Sequence, residues 1–314
     1  MSTLQKPSVA VLLGTYNGAS WVQQQVQSVI GQSGVAVRLF VSDDQSTDGT
    51  PEIARAACPP GAFDFLPALP ARLGSAGANF RRLIRDAGES DFDYFAFCDQ
   101  DDIWLDNRLI NAISALQDQR AEGYSSSVSA FWTNGRKRLV NNSHPQTDLD
   151  YFGGGPGQGC TFVLTRRAIQ LVRGALLAAP QATEAFQYHD WLTYALVRSR
   201  RLRWIISPQP TVLYRQHRQN DIGARGTLAA MRLRHRGISS GWYGNQLRAL
   251  LTALESVNGP DDSASVARKV LSRSKTQDRV AHMSAASRFR RSPFDSAAFV
   301  AYYLAGKIAI PAQA

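Results

Sequence analysis

Residues 93–104 read Asp-Tyr-Phe-Ala-Phe-Cys-Asp-Gln-Asp-Asp-Ile-Trp, an apolar run that ends in three closely spaced carboxylates. The run Tyr94–Cys98 predicts a buried strand. Because residues two apart in an extended chain point the same way, Asp99 and Asp101 can face one point. Crowded like charges are unfavourable without a cation between them, and Mg²⁺ or Mn²⁺ accepts carboxylate oxygens. The stretch therefore predicts a divalent-metal site, with an acidic turn after a core strand as the alternative.

Two strands predicted earlier in the chain also end in polar clusters. Val9–Leu13 and Val35–Val41 are short apolar runs, each followed by a predicted helix. The polar residues behind them are Thr15, Tyr16 and Asn17 after the first run, and Asp43 and Asp44 after the second. Strands that alternate with helices predict an α/β fold with a mostly parallel sheet, in which ligands bind at the carboxyl ends of the strands. We therefore expect all three clusters to converge on one cleft, with turn chemistry as the alternative for the Asp residues.

The composition is that of a folded soluble protein, with 44% hydrophobic and 19% charged residues in a chain of 314. The first residues show no secretory signal pattern, and no apolar run approaches the ~20 residues that span a bilayer. The three cysteines are far apart in sequence and odd in number. This argues against a disulfide framework or a zinc site, and it favours a reducing, cytoplasmic location.

The net charge of +10 belongs to the last third of the chain. Residues 1–200 carry 17 Lys/Arg and 19 Asp/Glu, whereas residues 201–314 carry 18 Lys/Arg and 6 Asp/Glu. We therefore expect a basic helical region at 223–314 after a catalytic domain at 1–222. Basic amphipathic helices can lie peripherally on the inner face of the cell membrane, pack on the catalytic domain, or pair two subunits as a homodimer. The sequence leaves these three alternatives open.

Two later motifs carry candidate catalytic and phosphate-binding groups. The motif at 189–191, His-Asp-Trp, opens a predicted helix, where Asp190 is either a helix cap or a general base. At the end of a later strand, Arg215 and His217, together with Arg218, are candidate phosphate or metal partners. A solvated basic turn is the alternative for this second motif.

Two stretches rich in small residues are predicted to be loops. The first, at 73–79, ends in Asn79, and the second, at 151–160, includes Gly159. The second stretch does not match a phosphate-binding loop, because no Gly-Lys-Ser/Thr follows it. We interpret it as a loop that lets a sugar approach the backbone, with a plain connector as the alternative.

The order of these motifs resembles that of the family-two glycosyltransferases, over about residues 8–222. The resemblance implies the nucleotide-sugar-binding GT-A fold, a Rossmann-like and mostly parallel sheet, here followed by a C-terminal helical region. It also implies inversion at the anomeric carbon of the donor sugar. Such a transfer needs one general base for the proton of the acceptor hydroxyl, and the resemblance assigns this role to Asp190.

The resemblance further implies binding roles for the other motifs. A divalent metal, magnesium or manganese, would be held by Asp99, Asp101 and His217. The implied donor-binding residues are Thr15, Tyr16, Asn17, Asp43, Asp44, Asn79, Asp99, Gln100, Arg215 and His217. The residues expected to contact the acceptor are Trp104, Gly159, His189 and Trp191.

Within the family, the segments at 97–104, 189–191 and 214–220 look most like the rhamnosyltransferase branch. This implies dTDP-L-rhamnose as the donor, and a growing cell-surface polysaccharide or lipid-linked glycan as the acceptor. The alternative is the same reaction with a UDP-sugar carrying glucose, galactose or N-acetylglucosamine.

Two other protein classes are alternatives to a glycosyltransferase. The pI of about 9.8 would suit a nucleic-acid-binding protein, but no recognisable motif with interleaved aromatics accompanies the charge. We therefore expect no nucleic-acid partner. A non-catalytic glycan-binding protein would not need Asp99, Asp101 and Asp190, and all three are present.

Overall fold

The computed structural model describes residues 5–87, 92–217, 236–238, 240–259, 262–272, 276–308 and 310. The candidate residue Arg218 and the expected domain boundary at 222/223 lie outside these ranges. The division into two domains therefore stays a prediction.

The described strands form two sheets. In chain order they are β1 Ser8–Thr15, β2 Ala36–Asp43, β3 Phe63–Phe65, β4 Tyr94–Cys98, β5 Ile103–Trp104, β6 Gly123–Ser126, β7 Val128–Trp132, β8 Lys137–Val140, β9 Val163–Thr165, β10 Trp204–Ser207 and β11 Val212–Gln216. The main sheet has the order β10-β6-β9-β4-β1-β2-β3, and the smaller sheet has the order β5-β11-β7-β8.

The main sheet is mostly parallel, as the sequence predicts. Strand β1 pairs in parallel with β2 and β4, and β2 pairs in parallel with β3. Strand β9 is the exception, because it runs antiparallel to both of its neighbours, β4 and β6. Alternate residues of β1 enter two different hydrophobic clusters, Val9, Val11 and Leu13 in one and Ala10 and Leu12 in the other. The sheet is therefore covered on both faces, which explains why its strands read as unbroken apolar runs.

The described helices cover both faces of this sheet and continue to the C-terminal side. They are α1 Val22–Ile30, α2 Thr50–Ala56, α3 Ala76–Asp86, α4 Arg108–Asp118, α5 Asp150–Gly153, α6 Arg166–Ala178, α7 Pro180–Glu184, α8 His189–Ser199, α9 Trp242–Asn258, α10 Asp262–Leu271, α11 Thr276–Ala281, α12 Met283–Ser287 and α13 Pro293–Leu304. Side-chain caps begin several of them: the Ser75 hydroxyl accepts from Ala78 N at the start of α3. No helix in the described ranges is both long enough and apolar enough to cross a membrane.

The smaller sheet brings β11 beside the acidic motif. Strand β11 runs antiparallel to β5, with Leu213 opposite Ile103 and Val212 opposite Trp104. Continuing this register places Arg215 opposite Asp101. The antiparallel pairing is thus the reason that residues far apart in sequence meet at the end of β4.

The C-terminal helices share the core of the sheet domain. Leu247, Phe289 and Tyr303 belong to the same buried cluster as Phe152 and Trp191. Hydrogen bonds reinforce this packing: the Tyr243 hydroxyl donates to Gly153 O at 2.7 Å. These helices therefore pack on the sheet domain, which is one of the three alternatives for the basic region.

Candidate active site

The carboxyl ends of β1, β2 and β4 are tied together by side-chain hydrogen bonds. The Thr15 hydroxyl donates to Asp43 Oδ1 at 2.7 Å and so joins β1 to β2. The Gln100 amide accepts from Tyr16 N and donates to Tyr16 O, both at 2.9 Å, and so joins β4 to β1. The three predicted polar clusters therefore lie together at one edge of the sheet.

The carboxylates that follow β2 are engaged with backbone groups. Asp43 accepts from Ser46 N at 2.7 Å and from the Ser46 hydroxyl at 2.6 Å. Asp44 is buried and accepts from Leu73 N at 2.5 Å and from Gly74 N at 2.9 Å. Turn chemistry is thus present at both positions, and a direct contact between Asp44 and a donor requires the Leu73–Gly74 backbone to move.

Two residues predicted to bind the donor instead shape the cleft from inside. The Thr15 side chain is buried, and its hydroxyl is the donor to Asp43 described above. Asn79 is also buried, and its amide is satisfied there: it donates to Ser42 O at 2.8 Å and accepts from the Ser42 hydroxyl at 2.5 Å. Asn79 lies in α3 and not in a loop, so it fixes this helix to β2. These contacts give Thr15 and Asn79 a structural role, and their contact with the donor stays a prediction.

An aromatic and cationic pair stands at the mouth of the cleft. Tyr16 is 37% exposed, and the Arg72 guanidinium lies 3.8 Å from the centre of its ring. Next to it, Asn17 adopts a left-handed φ of 46°, and its side-chain oxygen accepts from Thr47 N. Arg72 was not identified from the sequence, since nothing in the residues around it indicates that its guanidinium packs on the Tyr16 ring.

Asp101 and His217 form a close pair at the end of β4. His217 Nε2 lies 2.7 Å from Asp101 Oδ2. The His217 ring also stacks on Trp21, with 4.0 Å between ring centres and 14° between planes. Trp21 was not identified as a site residue from the sequence. Its position one turn after Asn17, at the start of α1, is the signal that could have pointed to it.

Arg215 supports the acidic loop from behind. Its Nε donates to Asp101 O at 2.8 Å, and its backbone N donates to Asp102 Oδ1 at 3.0 Å. A terminal nitrogen of the same guanidinium donates to Gln24 Oε1 at 2.6 Å. These contacts make Arg215 a residue that positions the acidic loop, whereas its contact with phosphate stays a prediction.

Asp102, the third carboxylate of the acidic motif, was not assigned as a metal ligand from the sequence. Within the described ranges, the metal-ligating side chains whose ligand atoms all lie within 4.8 Å of one another are Asp99, Asp102 and Cys160. Burial, and then the nearby Asp101 charge, raise the pKa of Asp102 to about 8. Burial also raises the pKa of the Cys160 thiol well above its usual value, and a soft sulfur ligand is not one that Mg²⁺ or Mn²⁺ prefers.

Asp190 lies in the first turn of α8. Its Oδ1 accepts from Trp191 N at 2.7 Å, so the carboxylate is bonded at the helix N-terminus. The preceding His189 ring stacks on Phe80 at 4.0 Å and lies 5.4 Å from the Phe97 ring, measured between ring centres. Phe97 is two residues before Asp99, so this packing brings the start of α8 to the end of β4.

The residues expected to contact the acceptor are buried in this structure, and their contact with the acceptor stays a prediction. Trp104 is 2% exposed and has the Arg108 guanidinium 3.6 Å from its ring. Trp191 is 6% exposed, and its indole N–H donates to Tyr151 O at 2.7 Å. The other two residues expected to contact the acceptor, His189 and Gly159, are also buried.

The burial of His189 and Gly159 has a common cause, the close packing of the Gly-rich loop on α8. A Cβ at Gly159 would lie 3.0 Å from both Asp190 Cβ and His189 Nε2. Burial lowers the pKa of His189 to about 3, with a smaller contribution from the Arg81 charge. His189 is therefore a neutral residue that supports Asp190, and Gly159 gives the space for it.

Comparison with known proteins agrees with this geometry. Residues 10–170 match the family described as glycosyl transferase family 2. This chain belongs to glycosyltransferase family 2. The chain is 37% identical in sequence to the dTDP-rhamnosyl transferase RfbG of Shigella flexneri. The matched region covers 77% of this chain and 84% of RfbG. The family resemblance and the enzyme class inferred from the sequence are thereby confirmed.

Solved structures confirm the GT-A fold of this glycosyltransferase. Staphylococcus aureus TarS 1-349 in complex with UDP-GlcNAc matches with a TM-score of 0.60 at 14% identity, over 96% of this chain and 88% of TarS 1-349. The mannosyltransferase PcManGT from Pyrobaculum calidifontis, in complex with GDP-Man and Mn²⁺, matches with a TM-score of 0.52 at 18% identity, over 97% and 86% of the two chains. At these identities the likeness concerns the fold alone.

Proposed function

We propose that this glycosyltransferase transfers L-rhamnose from dTDP-L-rhamnose, with inversion, to a growing cell-surface polysaccharide or lipid-linked glycan. The observation that carries the donor assignment is the 37% identity to a dTDP-rhamnosyl transferase over 77% of the chain. A UDP-sugar in the same cleft is the alternative, since the fold alone does not select the donor.

The mouth of the cleft supports the binding of a nucleoside diphosphate. Tyr16 and Arg72 offer an aromatic ring and a guanidinium, which suit a pyrimidine face and an anionic group. Asp43 offers carboxylate oxygens for a base N–H or ribose hydroxyls, and Asp44 does so when the Leu73–Gly74 backbone moves away from it. Asn17 and Gln100 lie beside them and hold the loops that form the mouth.

The residue types at the end of β4 suit a hard divalent cation, although the ligand atoms of Asp99, Asp101 and His217 do not all lie within 4.8 Å of one another, so a bound cation would have to draw them together. Carboxylates with one imidazole are a donor set that Mg²⁺ or Mn²⁺ accepts. We assign Asp99, Asp101 and His217 as the ligands, with Arg215 and Asp102 holding their loop in place. When bound, the cation neutralises negative charge that grows on the departing diphosphate.

Asp190 is assigned as the general base. Its carboxylate takes the proton of the acceptor hydroxyl as that oxygen attacks the anomeric carbon. The 2.7 Å bond from Trp191 N holds this carboxylate at the start of α8. Neutral His189 and the close approach of Gly159 fix the first turn of α8, and so orient the base.

The acceptor and the cellular location are further parts of the proposal. A lipid-linked glycan is built at a membrane surface, so a cytoplasmic enzyme needs at most a peripheral contact with the inner face of that membrane. Residues 1–222 would carry catalysis and residues 223–314 the supporting basic region. A homodimer through the basic region remains the alternative use of that region.

The direct experiment is a donor comparison with purified protein. Transfer or slow donor hydrolysis should be fastest with dTDP-L-rhamnose, should need Mg²⁺ or Mn²⁺, and should stop in excess chelator. A clear preference for a UDP-sugar would overturn the rhamnose assignment and leave the enzyme class intact. Full activity in chelator would overturn the metal assignment.

A further inference from the structure

Trp21 occupies a position that helix capping does not explain. It is the N-cap residue of α1, and its side chain makes no capping hydrogen bond. N-cap positions favour Ser, Thr, Asp and Asn, whose side-chain oxygens accept from the first N–H groups of a helix. An indole cannot replace them, because its N–H group only donates. The local structure of α1 therefore gives no reason for a tryptophan at this position.

Core packing does not explain Trp21 either. Its side chain is half-buried and belongs to neither of the two hydrophobic clusters that the described residues form. The next residue, Val22, is fully buried and does belong to one of these clusters. The ring contact of Trp21 is its stack on His217, with 4.0 Å between ring centres and 14° between planes. The imidazole at the end of β11 is therefore the partner that accounts for this tryptophan.

The stack fixes a property of the imidazole that its contact with Asp101 leaves open. The 2.7 Å contact between His217 Nε2 and Asp101 Oδ2 holds one ring atom, but the ring can still rotate about that contact. Parallel stacking on Trp21 fixes the plane of the ring. Because the lone pair of an imidazole nitrogen lies in this plane, the stack also sets the direction in which the nitrogen can bind a cation. A stacked ring can slide within its plane, so it can follow a cation without losing the stack.

The first turn of α1 also contacts the two strands that carry the assigned metal ligands. Gln24 accepts at Oε1 from the Arg215 guanidinium of β11 at 2.6 Å, and Arg215 Nε in turn donates to Asp101 O. The next residue, Gln25, donates to Cys98 Sγ at 3.0 Å, at the end of β4. The start of α1 is therefore held against both strands, which gives the Trp21 ring a fixed place from which to act.

We propose that Trp21 is a positioning residue of this transferase, whose ring holds the His217 imidazole in the orientation that binds the divalent cation. Trp21 acts through His217 and touches neither the cation nor the donor. The inference rests on the proposed function, because it takes His217 as a metal ligand. It gives α1 a part in metal binding that none of the sequence motifs indicated.

The affinity for Mn²⁺ in the presence of dTDP tests this role, with free Mn²⁺ measured by electron paramagnetic resonance. Trp21→Leu should weaken Mn²⁺ binding by about tenfold, as expected for a group that orients a metal ligand. Trp21→Phe should restore most of the affinity, because it keeps an aromatic face for the stack. In a His217→Ala background, Trp21→Leu should cause no further loss, since the two side chains act as one unit.

Trp242→Leu is the matched control. Trp242 is also a half-buried tryptophan at the start of a helix, α9, but it contacts the Tyr188 ring and not His217. This variant should bind Mn²⁺ like the wild type. The melting temperature of each variant without metal separates loss of metal affinity from loss of folding.

Proton NMR of the metal-free wild type checks the stack by itself, even if Trp21→Leu folds poorly. The carbon-bound ring protons of His217 lie against the Trp21 ring, so its ring current should shift their signals upfield. Their absence from the spectrum of His217→Ala assigns these signals. In Trp21→Phe they should stay shifted, because an aromatic ring remains beside the imidazole.

Failure of this proposal differs from failure of the metal assignment. Wild-type Mn²⁺ affinity in His217→Ala would overturn both. The positioning role alone is contradicted if His217→Ala loses affinity while Trp21→Leu does not, or if the two losses add in the double variant. An equal loss in Trp21→Phe or in Trp242→Leu, or unshifted His217 signals in the wild type, would contradict it as well.

Discussion

His217 Nε2 lies 2.7 Å from Asp101 Oδ2, although 116 residues separate the two in sequence. The antiparallel register of β11 against β5 produces this contact, and the Trp21 ring holds the imidazole on its other side. Both side chains are largely shielded, with exposed fractions of 12% for His217 and 14% for Asp101. The pair is therefore preformed, and it gives the acidic motif an imidazole partner from the smaller sheet.

The first prediction concerns this pair. Asp101→Asn should abolish the increase in melting temperature that Mn²⁺ and dTDP give together, because the ligand charge is lost. His217→Ala should weaken metal affinity by at least about tenfold, because it removes an assigned ligand and even the loss of a group that only orients a ligand costs about tenfold. Asp118→Asn, at an exposed position on α4, is the control and should behave like the wild type. Unchanged metal-dependent stabilisation in Asp101→Asn would contradict the assignment.

The second prediction concerns the buried carboxylate of Asp150. Its Oδ2 accepts from Arg291 at 3.0 Å and from the Tyr194 hydroxyl at 2.7 Å, and the Asp150 side chain is 0% exposed. Arg291→Met should lower the free energy of unfolding by about 3 kcal/mol, because it leaves a buried charge without its main partner.

A surface pair nearby is the control for Arg291. Arg288 and Asp148 lie 3.4 Å apart with side chains 45% and 60% exposed. Arg288→Met should therefore cost less than about 1 kcal/mol. Urea unfolding of both variants measures the difference, and equal losses would show that the buried pair does not stabilise the docked C-terminal helices.

The third prediction compares two glycines. A Cβ at Gly153 would overlap the carbonyl oxygen of Phe289, whereas a Cβ at Gly174 would meet no atom within 4 Å. Gly153→Ala should destabilise the protein by about 1–3 kcal/mol through overpacking. Gly174→Ala, in the exposed interior of α6, should stabilise it by about 0.5–1 kcal/mol. Thermal unfolding shows whether each variant is more or less stable than the wild type. An unchanged stability of Gly153→Ala would mean that the C-terminal helices do not pack as described.

The fourth prediction concerns pH. In the folded protein burial lowers the pKa of His189 from 6.5 to about 3. Between these values the unfolded chain binds a proton that the folded protein excludes, so the free energy of unfolding falls as pH falls, by up to ~1.4 kcal/mol per pH unit. Above pH 6.5 this contribution to stability is fully present.

His189→Gln removes the titrating group and tests this explanation. The variant should lose stability less steeply than the wild type between pH 6.5 and pH 4, as measured by urea unfolding at several pH values. Identical slopes for the two proteins would show that another group causes the acid sensitivity.

The sequence predicted the parts of the fold and site that rest on local pattern. Apolar runs identified β1, β2 and β4, and a parallel sheet brings the ends of such strands together. This is why Tyr16, Asp43 and Asp101 could be grouped before any coordinates were known. The pairing of His217 with the acidic motif followed from the family resemblance and not from spacing.

What the sequence does not show has a physical cause as well. The burial of Trp104 against Arg108 is one example, because a Trp after an acidic motif can face either a cleft or the core. Asn79 was placed in a loop because small residues precede it, but the Ser75 cap starts α3 among those residues. The contact between Asp150 and Arg291 spans 141 residues, and no local pattern encodes it.

The central claim is that Asp190 is the general base of a glycosyl transfer, and Asp190→Asn tests it most directly. The variant is nearly isosteric and can still accept from Trp191 N, but it cannot take up the acceptor proton. Turnover at saturating donor should fall by ~10²–10⁴, the contribution of a positioned general base, while the affinity for dTDP-L-rhamnose with Mn²⁺ stays within a few-fold of wild type. Turnover close to wild type, or a loss of donor affinity as large as the loss of rate, would contradict the account.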